Sequence, residues 1–194
     1  MKVALFDIDG VLNNAERFSV RFTNKYKIPM DTVLPFFTGV FQECLVGKAD
    51  LKMELEKVID EWGYTGTVEE LIKFWFEGEI NINKDVLDVI NDMKENGYKV
   101  IACTNQEKYR TEYLEEHLKL IELFNRVYSS AFMGIKKPDE EFFNFILKDQ
   151  SINPQDLIYW DDDEENIEAA SQLGIKSILY KSIEDIKDNI NLLS

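Results

Sequence analysis

The sequence predicts an α/β protein built on an open, Rossmann-like parallel sheet, and two features of the chain lead to that prediction. Beyond residue 82, short apolar runs alternate with stretches of helical periodicity. Strands separated by helices of that length pair in parallel through crossover connections. The second feature is an interruption, because residues 14–81 contain helical patterns with no convincing strand between them. We therefore predict a sheet domain of residues 1–13 and 82–194, with a small all-helical domain of residues 14–81 inserted in it.

The elements of the predicted sheet domain follow one another in a regular order. The apolar run VALF at residues 3–6 is the first predicted strand. Residues 84–97 have helix periodicity and end at Gly97, a common C-terminal cap, before the β-branched run of residues 98–104. The remaining predicted helix and strand pairs, with a closing helix, are 107–121 and 126–130, 139–150 and 156–163, 164–174 and 175–180, and finally 182–193.

The inserted segment is predicted to consist of helices only. They are expected at residues 15–28, 31–47, 50–63 and 67–78. Most aromatic side chains of the segment are expected to pack between these short helices, as aromatic residues usually do. Some of them are candidate walls of a pocket over the sheet: Phe18, Phe22, Phe37, Phe41 and Trp75.

Composition limits the classes of partner. The 194 residues carry a formal net charge of −15 with no basic run, which argues against binding to nucleic acid phosphates or to anionic membrane surfaces. Two cysteines, Cys44 and Cys103, lie far apart without metal-ligand spacing, so we expect a reduced, cytoplasmic chain. From the first residues we expect neither a signal peptide nor a membrane span.

Two carboxylates follow the first predicted strand. If the chain stays extended, Asp7 and Asp9 point to the same side, where their two negative charges repel each other. Such a pair is kept when a metal ion, or a division of labour between an acid and a base, compensates for the repulsion. A turn at Asp9-Gly10 would explain Asp9 alone, because Asp-Gly is a strong turn dipeptide, but it leaves Asp7 unexplained.

Polar residues also follow three later strands of the predicted sheet. In an open parallel sheet, ligands bind beyond the carboxyl ends of the strands. Each group has a simpler explanation by itself, as a helix cap or as a solvated loop. Together they supply what in-line phosphoryl transfer needs: a nucleophile, a proton donor, hard oxygen ligands for a divalent cation, and donors for phosphoryl oxygens. The residues are Thr104 and Asn105, then Gly134, Lys136, Lys137 and Pro138, then Asp161, Asp162 and Asp163.

These segments, in this order, resemble the four motifs of the haloacid dehalogenase superfamily of hydrolases. The segments that carry the resemblance are FDIDGV, ACTNQ, GIKKPDEEFF and IYWDDDEENIEAASQLGI. The helical insertion after the first motif resembles the cap domain of that family. The last motif is most similar to a subgroup of phosphatases that includes bacterial α-glucose-1-phosphate phosphatase and the N-terminal phosphatase domain of mammalian epoxide hydrolase.

The resemblance implies a role for each motif residue. Asp7 would be the nucleophile that forms an aspartyl-phosphate, and Asp9 would protonate the leaving group and then activate water. The Thr104 hydroxyl and the Asn105 backbone amide would bind phosphoryl oxygens, together with backbone amides of the turn that contains Gly10.

The resemblance also implies a cation and a metal ion at the site. Lys137, which directly precedes Pro138, fits the family lysine better than Lys136 does, and it would bind the phosphoryl group and neutralise charge. The family's metal is Mg²⁺. Its expected ligands are Asp7, Asp162 and the Asp9 backbone carbonyl, with Asp161 and Asp163 as further candidates, directly or through water.

The function implied is Mg²⁺-dependent hydrolysis of a small phosphorylated metabolite, such as a sugar phosphate, by a monomer or homodimer. The acid at position 9 disfavours a dehalogenase, which lacks it, and the order of the motifs disfavours a phosphorylated signalling receiver. A phosphosugar mutase of the same family remains an alternative, since the motifs do not show whether water or a sugar accepts the phosphoryl group. A non-catalytic phospho-ligand-binding protein is the other alternative, although Asp7, Asp9 and Lys137 are all present.

Three further residues or segments have weaker interpretations. His117 lies in a helical pattern and is given no role, and Trp160 is expected to pack beneath the site. The stretch VGKAD, with Gly47 and Lys48, resembles a cap loop that approaches the active site in relatives.

Overall fold

The computed structural model describes residues 2–190 and contains one five-stranded parallel sheet. The strands are β1 (Val3–Phe6), β2 (Lys99–Thr104), β3 (Arg126–Ser129), β4 (Leu157–Asp161) and β5 (Lys176–Leu179). They lie in the order β3-β2-β1-β4-β5. The central strand β1 pairs in parallel with both neighbours, and its Val3 lies opposite Lys99 of β2 and opposite Leu157 of β4. The predicted fold class is confirmed.

Helices cover both faces of the sheet. In chain order they are α1 (Phe18–Tyr26), α2 (Met30–Thr38), α3 (Phe41–Cys44), α4 (Leu51–Val58), α5 (Val68–Gly78), α6 (Lys84–Glu95), α7 (Lys108–Leu118), α8 (Leu120–Leu123), α9 (Ser130–Met133), α10 (Glu140–Gln150), α11 (Glu164–Gln172) and α12 (Ile183–Lys187). On one face, α6 packs Val86 and Ile90 against the sheet. On the other, α10 packs Phe142 and Ile146. Because both faces are covered, every residue of β1 is fully buried, as a continuous apolar run requires.

The inserted segment contains α1 to α5, which surround a separate aromatic cluster. Phe22, Trp62 and Leu55 are buried at its centre. The helix predicted over residues 31–47 is wrong as a single element, because α2 ends at Thr38 and α3 begins at Phe41. Gly39 has φ −105° and ψ −114°, outside the helical region, and this residue breaks the helix.

Two adjacent chain segments join the insertion to the sheet. Asn14 N donates to the Asn81 carbonyl at 2.9 Å, and Asn83 N donates to the Leu12 carbonyl at 2.8 Å. The outgoing and returning chains therefore run side by side at the junction. The domain boundaries at residues 13/14 and 81/82 stay a prediction.

The closing helix predicted for residues 182–193 corresponds to α12. Residues 191–193 of that prediction lie outside the described part of the chain.

The helices are short and amphipathic. Within residues 2–190, none combines the length and the hydropathy that crossing a lipid bilayer would take.

Candidate active site

A cavity of about 640 Å³ lies between the carboxyl ends of the strands and the helical insertion. Residues of both parts line it. The predicted site residues among them are Asp7, Asp9, Gly10, Thr104, Asn105, Lys137, Asp162 and Asp163. The structure therefore brings residues of four separate sequence motifs to one cavity, at the edge of the sheet where open α/β proteins bind ligands.

Lys137 lies at the centre of the cavity floor. Its ammonium is 2.9 Å from Asp7 Oδ1 and 2.6 Å from Asp161 Oδ2, and it is almost fully buried. Burial disfavours the charged form, but the acidic groups around the ammonium, Asp7 first among them, outweigh that effect and raise the pKa of Lys137. Lys137 is thus held as a cation beside the Asp7 carboxylate.

Asp161, the last residue of β4, is the second acid that holds the Lys137 side chain in place. Its Oδ2 accepts from Lys137 and from the Tyr159 hydroxyl, and its Oδ1 accepts from Asp163 N at 2.8 Å and Asn166 Nδ2 at 3.0 Å. Burial opposes ionisation, yet Lys137 and these hydrogen bonds lower the pKa of Asp161. A carboxylate has about four acceptor positions, so those of Asp161 are already used within the protein.

The acids of the site form a cluster suited to a divalent cation. One oxygen each of Asp7, Asp161 and Asp162 lie within 4.8 Å of one another. Burial raises the pKa of Asp7 and of Asp162, and the charge of Asp161 adds to both shifts, while Lys137 opposes them. Mg²⁺ prefers carboxylate oxygens and would relieve this repulsion, so the site fits that ion. Because the acceptor positions of Asp161 are already used, Asp7 and Asp162 are the carboxylates of the cluster left to bind it.

Gly10 makes the approach of Asp162 possible. It has φ +92°, and a Cβ atom added there would lie 2.2 Å from Asp162 Cγ. Glycine is therefore required at position 10, both because the backbone is left-handed and because the carboxylate lies so close.

The carboxylate of Asp163 is not in the acidic cluster: it accepts from Glu165 N at 2.9 Å and caps α11. Among the two further metal-ligand candidates, only Asp161 lies in the cluster.

Asp9 lies apart from the acidic cluster, on the side of the insertion. Its Oδ1 accepts from Asn13 Nδ2 at 2.7 Å, and its Oδ2 accepts from Gln106 Nε2. β1 ends at Phe6, so a turn, and not continued strand alternation, places Asp9 in the cavity. Gln106 and Asn13 were not predicted, because polar residues after a strand or in a turn have many possible partners until the chain is folded.

Thr104 and Asn105 end β2 at the cavity. The Thr104 hydroxyl makes no hydrogen bond with any residue in the described range 2–190, which leaves it available to a ligand. Asn105 Oδ1 accepts from Lys137 N at 2.9 Å, and its Nδ2 donates to the Lys137 carbonyl at 2.8 Å. The Asn105 side chain thus fixes the backbone of the lysine, a role that sequence reasoning missed.

The insertion supplies the aromatic wall of the cavity. Phe18, Phe37, Phe41 and Trp75 line it, as predicted. The prediction was wrong for Phe22, which is fully buried among Trp62 and Tyr64 in the aromatic cluster.

The loop with Gly47 and Lys48 does not line the cavity. Gly47 instead packs so closely on the Ala131 carbonyl that an added Cβ would lie 2.5 Å from that oxygen. Beside the cavity, a hydrogen bond from Lys136 to Gln42 Oε1 joins the insertion to the sheet domain.

The predicted packing of Trp160 beneath the site and the predicted helical position of His117 are confirmed. Trp160 is fully buried and stacks on Phe6 with ring centroids 4.8 Å apart, so it packs beneath the site. His117 is exposed on α7, where its Nδ1 lies 2.8 Å from the Tyr113 carbonyl.

Comparison with known proteins decides the family. A family model described as haloacid dehalogenase-like hydrolase matches residues 4–180. The chain belongs to this family. D-ribitol-5-phosphate phosphatase of Bacteroides thetaiotaomicron is 26% identical over 100% of this chain and 98% of its own length. The phosphorylated carbohydrates phosphatase of Thermotoga maritima is 22% identical over 100% of this chain and 90% of its own.

Solved structures of the same family share the fold. A crystal structure of a haloacid dehalogenase family enzyme from Bacteroides thetaiotaomicron, in complex with magnesium and inorganic phosphate, superposes with a TM-score of 0.81. It is 23% identical and the match covers 93% of this chain and 94% of that one. The predicted resemblance to haloacid dehalogenase-like phosphatases is therefore confirmed.

Proposed function

We propose that the protein is a Mg²⁺-dependent phosphomonoester hydrolase that acts on a small phosphorylated metabolite through an aspartyl-phosphate intermediate. The observation that carries the proposal is the position of Lys137, whose buried ammonium contacts the Asp7 carboxylate at 2.9 Å at the floor of a cavity. A buried cation beside a carboxylate, in a cavity with an unpartnered hydroxyl at Thr104, suits a phosphoryl group in transfer.

Asp7 is the proposed nucleophile. Its Oδ1 accepts from Ile8 N at 2.7 Å and from Lys137, which leaves Oδ2 for attack on phosphorus. Burial raises the pKa of Asp7, and a protonated carboxyl would not attack. Lys137 opposes that shift and would also bind an equatorial phosphoryl oxygen, together with the Thr104 hydroxyl.

Asp9 is the proposed acid and base. It would give a proton to the leaving oxygen and then take one from the water that hydrolyses the aspartyl-phosphate. Asn13 and Gln106 hold one oxygen each, so the carboxyl group is fixed while it exchanges a proton.

Asp7 and Asp162, with the Asp9 backbone carbonyl, would hold Mg²⁺. The bound ion supplies positive charge that stabilises the phosphoryl oxygens as negative charge builds on them. The relatives that are named as phosphatases of ribitol 5-phosphate and of phosphorylated carbohydrates support a sugar or polyol phosphate as the substrate of this chain.

The test is a phosphatase assay on the purified protein with p-nitrophenyl phosphate. We expect hydrolysis with Mg²⁺, its loss on addition of EDTA, and recovery with excess Mg²⁺. Asp7→Asn removes the nucleophile, and we expect its kcat to fall by at least ~10⁴-fold.

The matched control is Asp92→Asn, the same change at an exposed position on α6 far from the cavity, and it should keep wild-type activity. Full activity in Asp7→Asn would refute the mechanism.

A second assay distinguishes a hydrolase from a mutase. With a bisphosphorylated sugar as the substrate, we expect release of inorganic phosphate; an isomeric sugar phosphate as the product would indicate a mutase instead.

A further inference from the structure

Glu79 is a partly buried acid that the proposed chemistry does not use. It follows α5, at the return from the insertion to the sheet, and it lines the cavity with its side chain 16% exposed. Asn13 Nδ2 donates both to Asp9 Oδ1 at 2.7 Å and to the Glu79 carbonyl at 2.9 Å, so Glu79 lies one side chain away from Asp9. One side-chain amide thus holds both the Asp9 carboxylate and the Glu79 main chain, and Glu79 lines the cavity into which a leaving group protonated by Asp9 would extend.

The Glu79 carboxylate has unused acceptor positions. Its Oε1 accepts from Phe18 N and its Oε2 accepts from Trp75 Nε1 at 2.7 Å. Each carboxylate oxygen can accept about two hydrogen bonds, so each has a position left. Glu79 lines the cavity and its side chain keeps some exposure, so a ligand in the cavity can reach it.

Arg110 lies behind Glu79 and is almost fully buried at the same wall. It donates to the carbonyls of Phe76 and Glu79, but its Nε has no hydrogen-bond partner and lies 3.9 Å from Glu79 Oε2. The guanidinium therefore balances the charge of Glu79 and keeps unused donors, since arginine has five N–H groups.

The surroundings of this pair are aromatic. Phe18 and Trp75 stack with ring centroids 4.4 Å apart, and both line the cavity with Phe37 and Phe41. Apolar walls with a few fixed polar groups are typical of small-molecule sites, where the polar groups select the ligand.

We infer that Glu79, supported by Arg110, is the subsite that reads hydroxyl groups of the leaving group, and that the preferred substrates are phosphate monoesters of neutral polyols or sugars. This inference rests on the proposed function and concerns the alcohol that Asp9 protonates. A hydroxyl donates to Glu79, whereas an alkyl group leaves its acceptors unpaired and a carboxylate is repelled by Glu79 and Asp9 together.

The experiment compares two esters with the same number of carbon atoms. Ribitol 5-phosphate carries hydroxyl groups along its chain and pentyl phosphate carries none. For wild type we expect kcat/KM to be about 10- to 100-fold higher with ribitol 5-phosphate, since sites built for hydroxyl groups reject analogues that lack them. Phosphoglycolate, which has a carboxylate, should be the poorest of the three.

Glu79→Gln removes the charge at nearly constant shape, and we expect it to lower the ratio of the two kcat/KM values by about tenfold. The matched control is Glu77→Gln in α5, two residues before Glu79, where Glu77 is exposed and pairs with Lys73 at 3.8 Å. It should keep the wild-type ratio.

The outcomes separate the inference from the proposed function. A wild-type ratio near one, or a Glu79→Gln variant in which all esters slow equally, overturns the inference while phosphatase activity stands. The wild-type comparison decides by itself if Glu79→Gln does not fold. If wild type hydrolyses none of these esters and no p-nitrophenyl phosphate, the proposed function fails and the inference fails with it.

Discussion

The edge of the sheet and the interior of the helical insertion are built by different kinds of interaction. At the sheet edge, hydrogen bonds and ion pairs specify single partners, as where Asp161 accepts from four separate groups. In the insertion, aromatic rings pack on several neighbours at once, as Phe22 does with Tyr26, Trp62 and Tyr64. A hydrogen bond depends on direction and charge, whereas an aromatic core depends mainly on volume and shape.

This difference implies different responses to mutation. Loss of one partner at the sheet edge leaves a buried charge unpaired and removes function at the same time. Loss of a ring in the insertion creates a cavity whose cost depends on how well the neighbours close it. Each of the following changes tests that contrast by comparison with a second residue of the same type.

The largest effect is expected for Lys137→Met. The change leaves Asp7 and Asp161 without their shared cation, and Asp161 is fully buried. We expect kcat to fall by at least ~10³-fold and the free energy of unfolding to fall by about 3–5 kcal/mol. Urea unfolding and steady-state kinetics measure the two effects.

The control for that change is the adjacent residue. Lys136 is half-buried and donates to Gln42 across the edge of the cavity. Lys136→Met should cost less than ~1 kcal/mol of stability. Equal destabilisation by both changes would show that the site lysine has no special structural role.

The next effect contrasts two rings of the insertion. Phe22 is fully buried in the aromatic cluster, so Phe22→Ala should lower the free energy of unfolding by about 3–5 kcal/mol. Phe37 is half-buried and lines the cavity, so Phe37→Ala should cost less stability and raise KM. Urea unfolding with substrate titration checks both. The contrast breaks down if Phe37→Ala is the more destabilising of the two.

The smallest effect concerns Glu107, which lies between the two regions. Burial raises its pKa from the ordinary 4.5 to about 7, although its carboxylate accepts from Tyr109 N at 2.9 Å and from Arg110 N. The folded state therefore keeps the proton to higher pH than the unfolded state does. This contribution to stability is complete below about pH 4.5 and is lost as the pH rises through 7.

Glu107→Gln removes that ionisation. We expect the variant to exceed wild type by about 3 kcal/mol in free energy of unfolding at pH 8, and the difference to vanish near pH 4.5. Urea unfolding across this range provides the measurement. Glu112→Gln, at an exposed position of the same helix, should follow the wild-type curve; a Glu107→Gln curve parallel to wild type would contradict the expectation.

The position of the site could be predicted from the sequence because it depends on chain order alone. Parallel strands end at a common edge, so Asp7, Thr104 and Asp161 had to lie near one another once the strands were recognised. Lys137 followed from the motif that it shares with the family. The support of these residues could not be predicted in the same way. Asn105, Tyr159 and Gln106 contact the site through side chains whose partners exist only in the folded chain.

The insertion shows the same limit for apolar residues. Phe22 and Phe37 are both aromatic residues in helical patterns, and nothing local distinguishes a ring in the cluster from a ring that faces the cavity. The break at Gly39 was also missed, because a single glycine inside a helical pattern is often tolerated.

The sequence by itself determined the parallel sheet, the helical insertion after its first strand, and the acids, hydroxyl and lysine at the strand ends. Those features depend on periodicity and order, which are properties of the chain. The tertiary structure alone decided that Asp161 saturates its acceptors below Lys137, that Asp163 caps a helix, and that Glu79 and Arg110 meet beside Asp9. These are distances between residues far apart in sequence, and hydrogen bonds and charges act over distances that only the packed chain defines.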